Sequence, residues 1–257
     1  GPALLRAGEA SDALLAAVIA GERRITVAFD PSLRTFAAGG PGVAVDAAGA
    51  DAALMFTADG SLALAPIERA DAEPSAPVAS ADLTRVLVGT PDASAATVVA
   101  PPLPADRRAR IEALALAALA ADLVGVMQGA LDAAVAYVCE REQFGVPVGS
   151  FQAVQHMAAD AKVALEASRG SMWHAAWAVD ELDASDALLA ARQAKAYCSR
   201  AGRDVVEIMV QMLGGIAITW EELAHLRVRR VLLDRVLLGD EHVQEDAIAD
   251  ARLEVVR

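Results

Sequence analysis

Residues 140–152 read EREQFGVPVGSFQ, where Gly145 and Pro147 interrupt helical patterning on both sides. A second interruption, VQMLGGIAITWEE at 210–222, holds the glycine pair Gly214–Gly215. Taken singly, each has an ordinary reading. The first is an αα-turn whose Arg141 caps carbonyls at a helix C-terminus. The second is a glycine C-cap, although a backbone without side chains also lets another chain or a ligand approach closely. Both punctuate long segments of one period, and those segments decide the fold.

Around the interruptions, apolar residues recur every three or four positions. Leu116, Leu119, Leu123, Val126, Ala130, Ala134 and Tyr137 mark one long amphipathic helix. Val154, Met157, Ala161 and Leu165 mark a second, beginning near Phe151. A third carries Ala194, Tyr197, Ala201, Val205, Ile208 and Met212 and starts behind Ser185 as its N-cap. A shorter helix follows from about Glu221, and the last runs from about Glu241 to Val255. Three long helices with short links predict an antiparallel bundle, and apolar residues on more than one side predict oligomeric packing.

Upstream the pattern changes. Short apolar runs, ITVAFD (25–30) and ALMFTADGSLALAPI (53–67), are broken by Gly, Pro and Asp, with ADG (58–60) as a hairpin-type turn. Ile25 to about Val99 reads as a small β domain and residues 3–20 as a helix leading into it. PSAPVASADLTR (74–85) reads as loop, and PPLPADRR (101–108) as a hinge that starts a helix. The expected fold is α+β, mainly α. Residues 1–100 form a short helix plus a small β domain, and residues 101–257 a C-terminal helical bundle.

Composition narrows the function. The chain is 55% hydrophobic but only 4% aromatic, which favours close-packed helices over an aromatic-rich sandwich. A net charge of −13 offers no basic field for a nucleic acid or an acidic membrane, while leaving room for one arginine to meet one phosphate. No apolar run reaches the ~20 residues of a membrane span. GPALLRAGEAS lacks a signal-peptide layout, and Cys139 and Cys198 make no disulfide framework, so a cytoplasmic protein is expected. His156, His174, His225 and His242 lack metal-ligand spacing, and no metal site is expected. His156 reads as a helix-surface residue, Trp173 and Trp177 as a packing pair, and RVRR (227–230) as a solvated helix face.

Together the two interruptions are far more specific. RxxFGxPxxxFQ followed by QxxGG at a helix end resembles the C-terminal domain of the acyl-CoA dehydrogenase family, and the likeness continues through TWEELAHLRVRR (219–230). It covers residues 100–257. GERRITVAFD (21–30) and SADLTRVLVGT (80–90) resemble the edges of that family's middle β domain, and the family's N-terminal helical domain is mostly absent from this chain. The wording of DLTR and TWEE…HL is most like actinobacterial members acting on steroid-derived or other bulky CoA thioesters.

The resemblance implies an FAD held across a subunit contact. Carried over by position, Arg141 would pair with its pyrophosphate, for which a planar, permanently charged fork is suited. Gln143 would lie near the same phosphates, Phe144 would pack beside the flavin or adenine, and Gln211 would bond toward the adenosine end. Gly214 and Gly215 would let the backbone approach. There is no GxGxxG loop.

It equally implies what is missing. Members of the family remove an acyl-CoA's α-proton with a glutamate while the flavin takes the β-hydride, and that needs a carboxylate shielded from water. Many carry it in a segment resembling YEGTxxIQ. Aligning that segment on RVLLGDEHVQ (235–244) through Gly239, Val243 and Gln244 puts Leu238 at the base and Leu237 at the tyrosine. Others carry it twenty-two residues before the helix-end tyrosine, which from Tyr137 is Ala115. Neither accepts a proton. Nearby Glu112, Asp240 and Glu241 point elsewhere on helical geometry, the last two reading as exposed carboxylates that cap the final helix. The family's TExxAGSD segment is here VAFDPSLRT (27–35), without its glycine–serine–aspartate end.

The expectation is therefore a non-catalytic subunit of an α2β2 acyl-CoA dehydrogenase. It completes the FAD site of a catalytic partner, which binds most of the acyl-CoA. Two alternatives stay open: a self-sufficient homotetramer with Asp240 or Glu241 as base, and a cofactor-free structural subunit.

Overall fold

The structure, a computed structural model, describes residues 1–67 and 80–254. Residues 74–79 of the expected loop and Val255, the expected end of the last helix, lie outside the described residues. The chain divides into two compact units, Gly1–Glu112 with Val236–Gly239, and Ala113–Arg235 with Asp240–Arg257.

In the first unit the expected single helix over 3–20 is two: α1 (Pro2–Ala7) and α2 (Asp12–Ile19). The break comes at Glu9, left-handed (φ 56°), whose amide donates to Arg6 O at 3.1 Å while the Ala10 amide reaches Leu5 O at 3.0 Å. Gly8 before it passes the sheet where no side chain fits, a Cβ there lying 2.5 Å from Leu62 Cδ1 and 3.0 Å from Ala100 Cβ. Ser11 then starts afresh as an N-cap, accepting a bond from the Leu14 amide.

The strands are β1 (Ile25–Phe29), β2 (Gly42–Val45), β3 (Ala52–Phe56), β4 (Leu62–Pro66), β5 (Val88–Thr90) and β6 (Thr97–Ala100). Among the described residues they form one sheet in the order β5-β2-β1-β3-β4-β6. The β1–β3 pair is parallel and the other pairs are antiparallel. β3 and β4 make the hairpin read from ADG, with Phe56 opposite Leu62 and Leu54 opposite Leu64. One face is walled by small residues, Ala28, Ala44, Ala53, Ala63 and Ala65 with Met55. On the other, Phe36 stacks with Phe29 at 5.6 Å and meets Phe56 edge-on at 6.0 Å, while the Arg108 guanidinium lies 4.8 Å above the Phe56 ring.

The second unit is built on α3 (Ala105–Glu140, whose first turns belong to the other unit), α4 (Gln152–Glu181), α5 (Ala184–Leu213), α6 (Ala224–Val236) and α7 (Glu241–Glu254). The buried stripe of α3 is Leu116, Ala120, Leu123, Met127, Ala134 and Val138, so Leu119, Val126 and Tyr137 of the expected stripe sit at its margin. α5 is capped by Asp183 rather than Ser185. The Asp183 carboxylate accepts from the Ser185 and Asp186 amides at 3.0 Å each, and Ser185 Oγ donates to the same oxygen. An aspartate serves better because it adds charge at the positive end of the helix dipole. Small residues set the packing distance: a Cβ at Gly202 of α5 would sit 3.3 Å from Leu123 of α3 and 3.4 Å from Val231 of α6.

α3 is long and apolar enough to cross a bilayer by length and composition alone, a test that a bundle's core helix also meets, although Asp122 and Asp132 interrupt its apolar run. Two surface expectations need correction. Trp173 and Trp177 are both exposed, and the ring contact on α4 is His174 with Trp177 at 5.8 Å, because residues three apart also share a face. RVRR is not a free solvated face. Arg227 pairs with Glu222 at 3.7 Å, and Arg230 with Asp122 at 2.9 Å and Asp234 at 3.5 Å.

Candidate functional site

The link between α3 and α4 is a miniature β-ribbon. Glu142–Gln143 (β7) pairs with Val146–Pro147 (β8), closed by Phe144 (φ 56°) and Gly145 (φ 79°), both left-handed as in a type I′ turn. That conformation is common for glycine but costly for phenylalanine. The Phe144 ring recovers little by burial, being 94% exposed and touching Phe151 edge-on at 6.3 Å. Strain that presents an apolar ring to solvent is not explained by folding and points to a site.

Arg141 is fixed through its backbone alone: its amide donates to Tyr137 O at 2.8 Å and its carbonyl accepts from Val148 at 2.7 Å. The guanidinium is exposed and has no partner among the described residues, so the carbonyl-capping reading does not hold for this side chain. Gln143 instead turns back on its own ribbon, Nε2 donating to Glu142 O at 2.6 Å, and is less available.

α5 ends at Gly214 (φ 64°, ψ −140°), whose amide donates to Val210 O. A 3-10 turn, Gly214–Ile218, follows. A Cβ at Gly214 or Gly215 would meet nothing within 4 Å, and Gln211 is exposed without a partner among the described residues. The unpaired cation, the bare backbone and the free amide fit a dinucleotide.

Topology brings the two interruptions together. Ser168 Oγ lies 4.0 Å from Met127 Sδ, and Cys198 Sγ 3.6 Å from Ser168 O, so these residues of α3, α4 and α5 share a level. At about 1.5 Å per residue, Arg141 lies about 21 Å beyond that level along α3, and Gln211 about 20 Å beyond it along α5. Because α4 runs opposite to both, they reach the same end of the bundle.

The turn 236–240 differs in character. Leu237 and Leu238 are buried. Leu238 is left-handed (φ 58°), and its amide is spent on Leu33 O at 2.7 Å, where Leu33 is itself left-handed (φ 61°) in the VAFDPSLRT turn. That turn is held by Asp30, which accepts from the Ser32 amide at 3.0 Å and the Thr35 amide at 2.7 Å. Ala115, at the other base position, is half-buried on α3.

Asp240 caps α7 as expected, its carboxylate accepting from the Val243 amide at 3.2 Å. Glu241 was expected to be exposed and is only 3% so. Its two oxygens accept from Arg235 Nη2 and Nε at 2.6 and 2.7 Å, a bidentate pair that holds its carboxyl down to about 2 against the opposing effect of burial. Beneath lies fully buried Lys195, donating to Ser199 Oγ at 3.0 Å and to Arg235 O at 2.8 Å. Burial pushes its ammonium down to about 8, with Asp234, Glu241 and Asp240 opposing. Lys195 was missed in the sequence. The signal was there: it follows Ala191 at helical spacing on the alanine-rich stripe.

The profile described as "Acyl-CoA dehydrogenase, C-terminal domain" matches residues 112–253. The chain belongs to the acyl-CoA dehydrogenase family. Acyl-CoA dehydrogenase FadE34 of Mycobacterium tuberculosis is 42% identical over 121 residues, covering 47% of this chain and 17% of the relative. IpdE2 of the same organism is 39% identical over 112 residues, covering 44% and 33%. The chain thus spans a third or less of the length of these curated relatives.

A variant of the Tcur3481–Tcur3483 steroid ACAD superposes with a TM-score of 0.78 at 28% identity, over 95% of this chain and 71% of that one. The ChsE4–ChsE5 complex from Mycobacterium tuberculosis superposes with a TM-score of 0.76 at 25% identity, over 98% and 73%. Butyryl-CoA dehydrogenase from Megasphaera elsdenii, at 19% identity and a TM-score of 0.76, shares the fold over 94% and 71%. The mainly helical acyl-CoA dehydrogenase architecture, with a β-sheet unit and a helical bundle, is the one read from the sequence.

Proposed function

We propose that this chain is the non-catalytic subunit of a flavin-dependent acyl-CoA dehydrogenase, an α2β2 assembly that desaturates an acyl-CoA thioester at its α,β-bond. Bulky, steroid-derived acyl groups are the preferred class, a choice supported by the likeness to a steroid ACAD heteromer. One contrast carries the reading. The bundle end presents an unpaired Arg141, an outward Phe144 and open Gly214–Gly215, whereas both base positions are apolar, Ala115 and buried Leu238.

Bound FAD would supply the hydride acceptor. Arg141 would neutralise its diphosphate as a planar fork, Phe144 would exclude water beside it, Gln211 would pair toward the adenosine, and Gln143 would stand near the phosphates. The α-proton would leave to a carboxylate of the catalytic partner. Leucine cannot take it, Glu241 is bound by Arg235, and Asp240 is engaged in capping.

Co-expression with a full-length catalytic family member tests the proposal by absorbance. The isolated chain should be colourless, the complex flavin-loaded, and Arg141→Ala should strip flavin from the complex. Flavin and thioester oxidation by the isolated chain would establish the self-sufficient enzyme instead. Flavin content indifferent to Arg141→Ala would establish a structural subunit.

A further inference from the structure

Trp220 stands in the loop after Gly214–Gly215, and its indole is 69% exposed. His225 backs one face, with ring centroids 4.6 Å apart and planes 24° from parallel. The backing ring is itself fixed, since Nδ1–H donates to Glu222 O at 2.7 Å. An indole braced behind and open in front buries too little of itself to be explained by the fold, because a core tryptophan would be covered.

We infer that Trp220 is the stacking platform for the adenine ring of the nucleotide whose diphosphate Arg141 meets. The inference rests on the flavin-site reading above. Aromatic stacking accepts any planar base, so specificity must come from a neighbouring polar group. Gln211 supplies it: exposed at the bundle end that Arg141 also reaches, its amide can pair with the adjacent donor and acceptor of an adenine edge, and the adenine is the half left to this chain because the hydride-accepting ring must lie beside the partner's base. Ile218, two residues before it in the same loop and 85% exposed, offers a further apolar side chain there. Trp220 therefore binds the adenine end of the dinucleotide, and His225 positions Trp220.

Two measurements decide this. In the co-expressed complex, Trp220→Ala should weaken FAD roughly tenfold while Trp220→Phe, which keeps a ring, retains most of the affinity. In the purified chain carrying Trp173→Phe and Trp177→Phe, Trp220 fluorescence should be quenched saturably by ADP and not by FMN. Quenching by FMN in place of ADP would overturn the adenine assignment. A Trp220→Ala complex with wild-type FAD affinity, alongside an Arg141→Ala complex that loses flavin, would overturn the inference and leave the flavin-site reading intact. If neither variant loses flavin, both fall.

Discussion

Replacing Glu241 by glutamine separates a structural carboxylate from a catalytic one. Glu241 is 3% exposed and receives two charge-assisted bonds from Arg235 at 2.6 and 2.7 Å. Lowering a carboxyl from 4.5 to about 2 amounts to about 3 kcal/mol of pairing free energy at neutral pH. The Arg235 side chain stays 22% exposed, so solvent screening brings the expected loss to about 2 kcal/mol. Glutamine keeps the shape but turns an amide N–H₂ toward a guanidinium that can only donate. For a chain of this size the loss should lower the melting temperature by roughly 5 °C.

The pH dependence carries the sign. A carboxyl whose folded pKa is depressed stabilises the fold fully above its unfolded value, and that stability is lost as pH falls toward the folded value. Urea midpoints of wild type and Glu241→Gln should therefore differ fully above about pH 5.5 and converge as pH approaches 2. A gap that persists unchanged in acid would refute the ion-pair reasoning. So would turnover in the flavin-loaded complex that collapses with Glu241→Gln while melting is unmoved, since that is the behaviour of a base.

Lys195 slopes in the same direction, in a higher pH window. Its folded pKa of about 8 lies below 10.5, so the unfolded chain holds more protons in that window and stability from this group rises with pH from 8 to 10.5; urea midpoints for Lys195→Met should lack that rise. Asp183→Ala should cost about 1 kcal/mol as a lost N-cap, and Ser185→Ala much less, read by thermal melting; equal losses would contradict the capping geometry. A disulfide reagent should find one reactive thiol in the native chain, exposed Cys139. Cys198, whose thiol burial pushes up to about 11, should react only after denaturation.

The sequence disclosed what repeats and what interrupts. Helical periods gave the bundle, ADG gave the β3–β4 hairpin, and the interruptions gave the candidate site. It disclosed much less about features made by single residues in three dimensions. The first helix ends at left-handed Glu9, and Gly8 before it lies against Leu62 and Ala100, a contact invisible to a local pattern. The N-cap reads as Ser185, yet α5 already begins at Ala184, and only geometry shows that the oxygen facing the amides is that of Asp183. Glu241 looked exposed because acidic residues at a helix start usually are, and its guanidinium partner lies six residues upstream, beyond helical i,i+4 spacing.

The two segments that resemble the family signature differ in physical character. At the bundle end the groups are left unsatisfied: a cation without an anion, an aromatic ring without a cover, and glycines with open space beside them. At the leucine turn the reverse holds, with side chains buried and the Leu238 amide consumed by Leu33. Two leucines in left-handed conformations carry a cost that a glycine would avoid, so the bond between them holds a backbone shape that leucine itself does not favour. A backbone drifting free of constraint would relax to an ordinary turn. That this one retains a strained geometry shows that it is held from outside, by the bond to Leu33 and by the turn that Asp30 fixes.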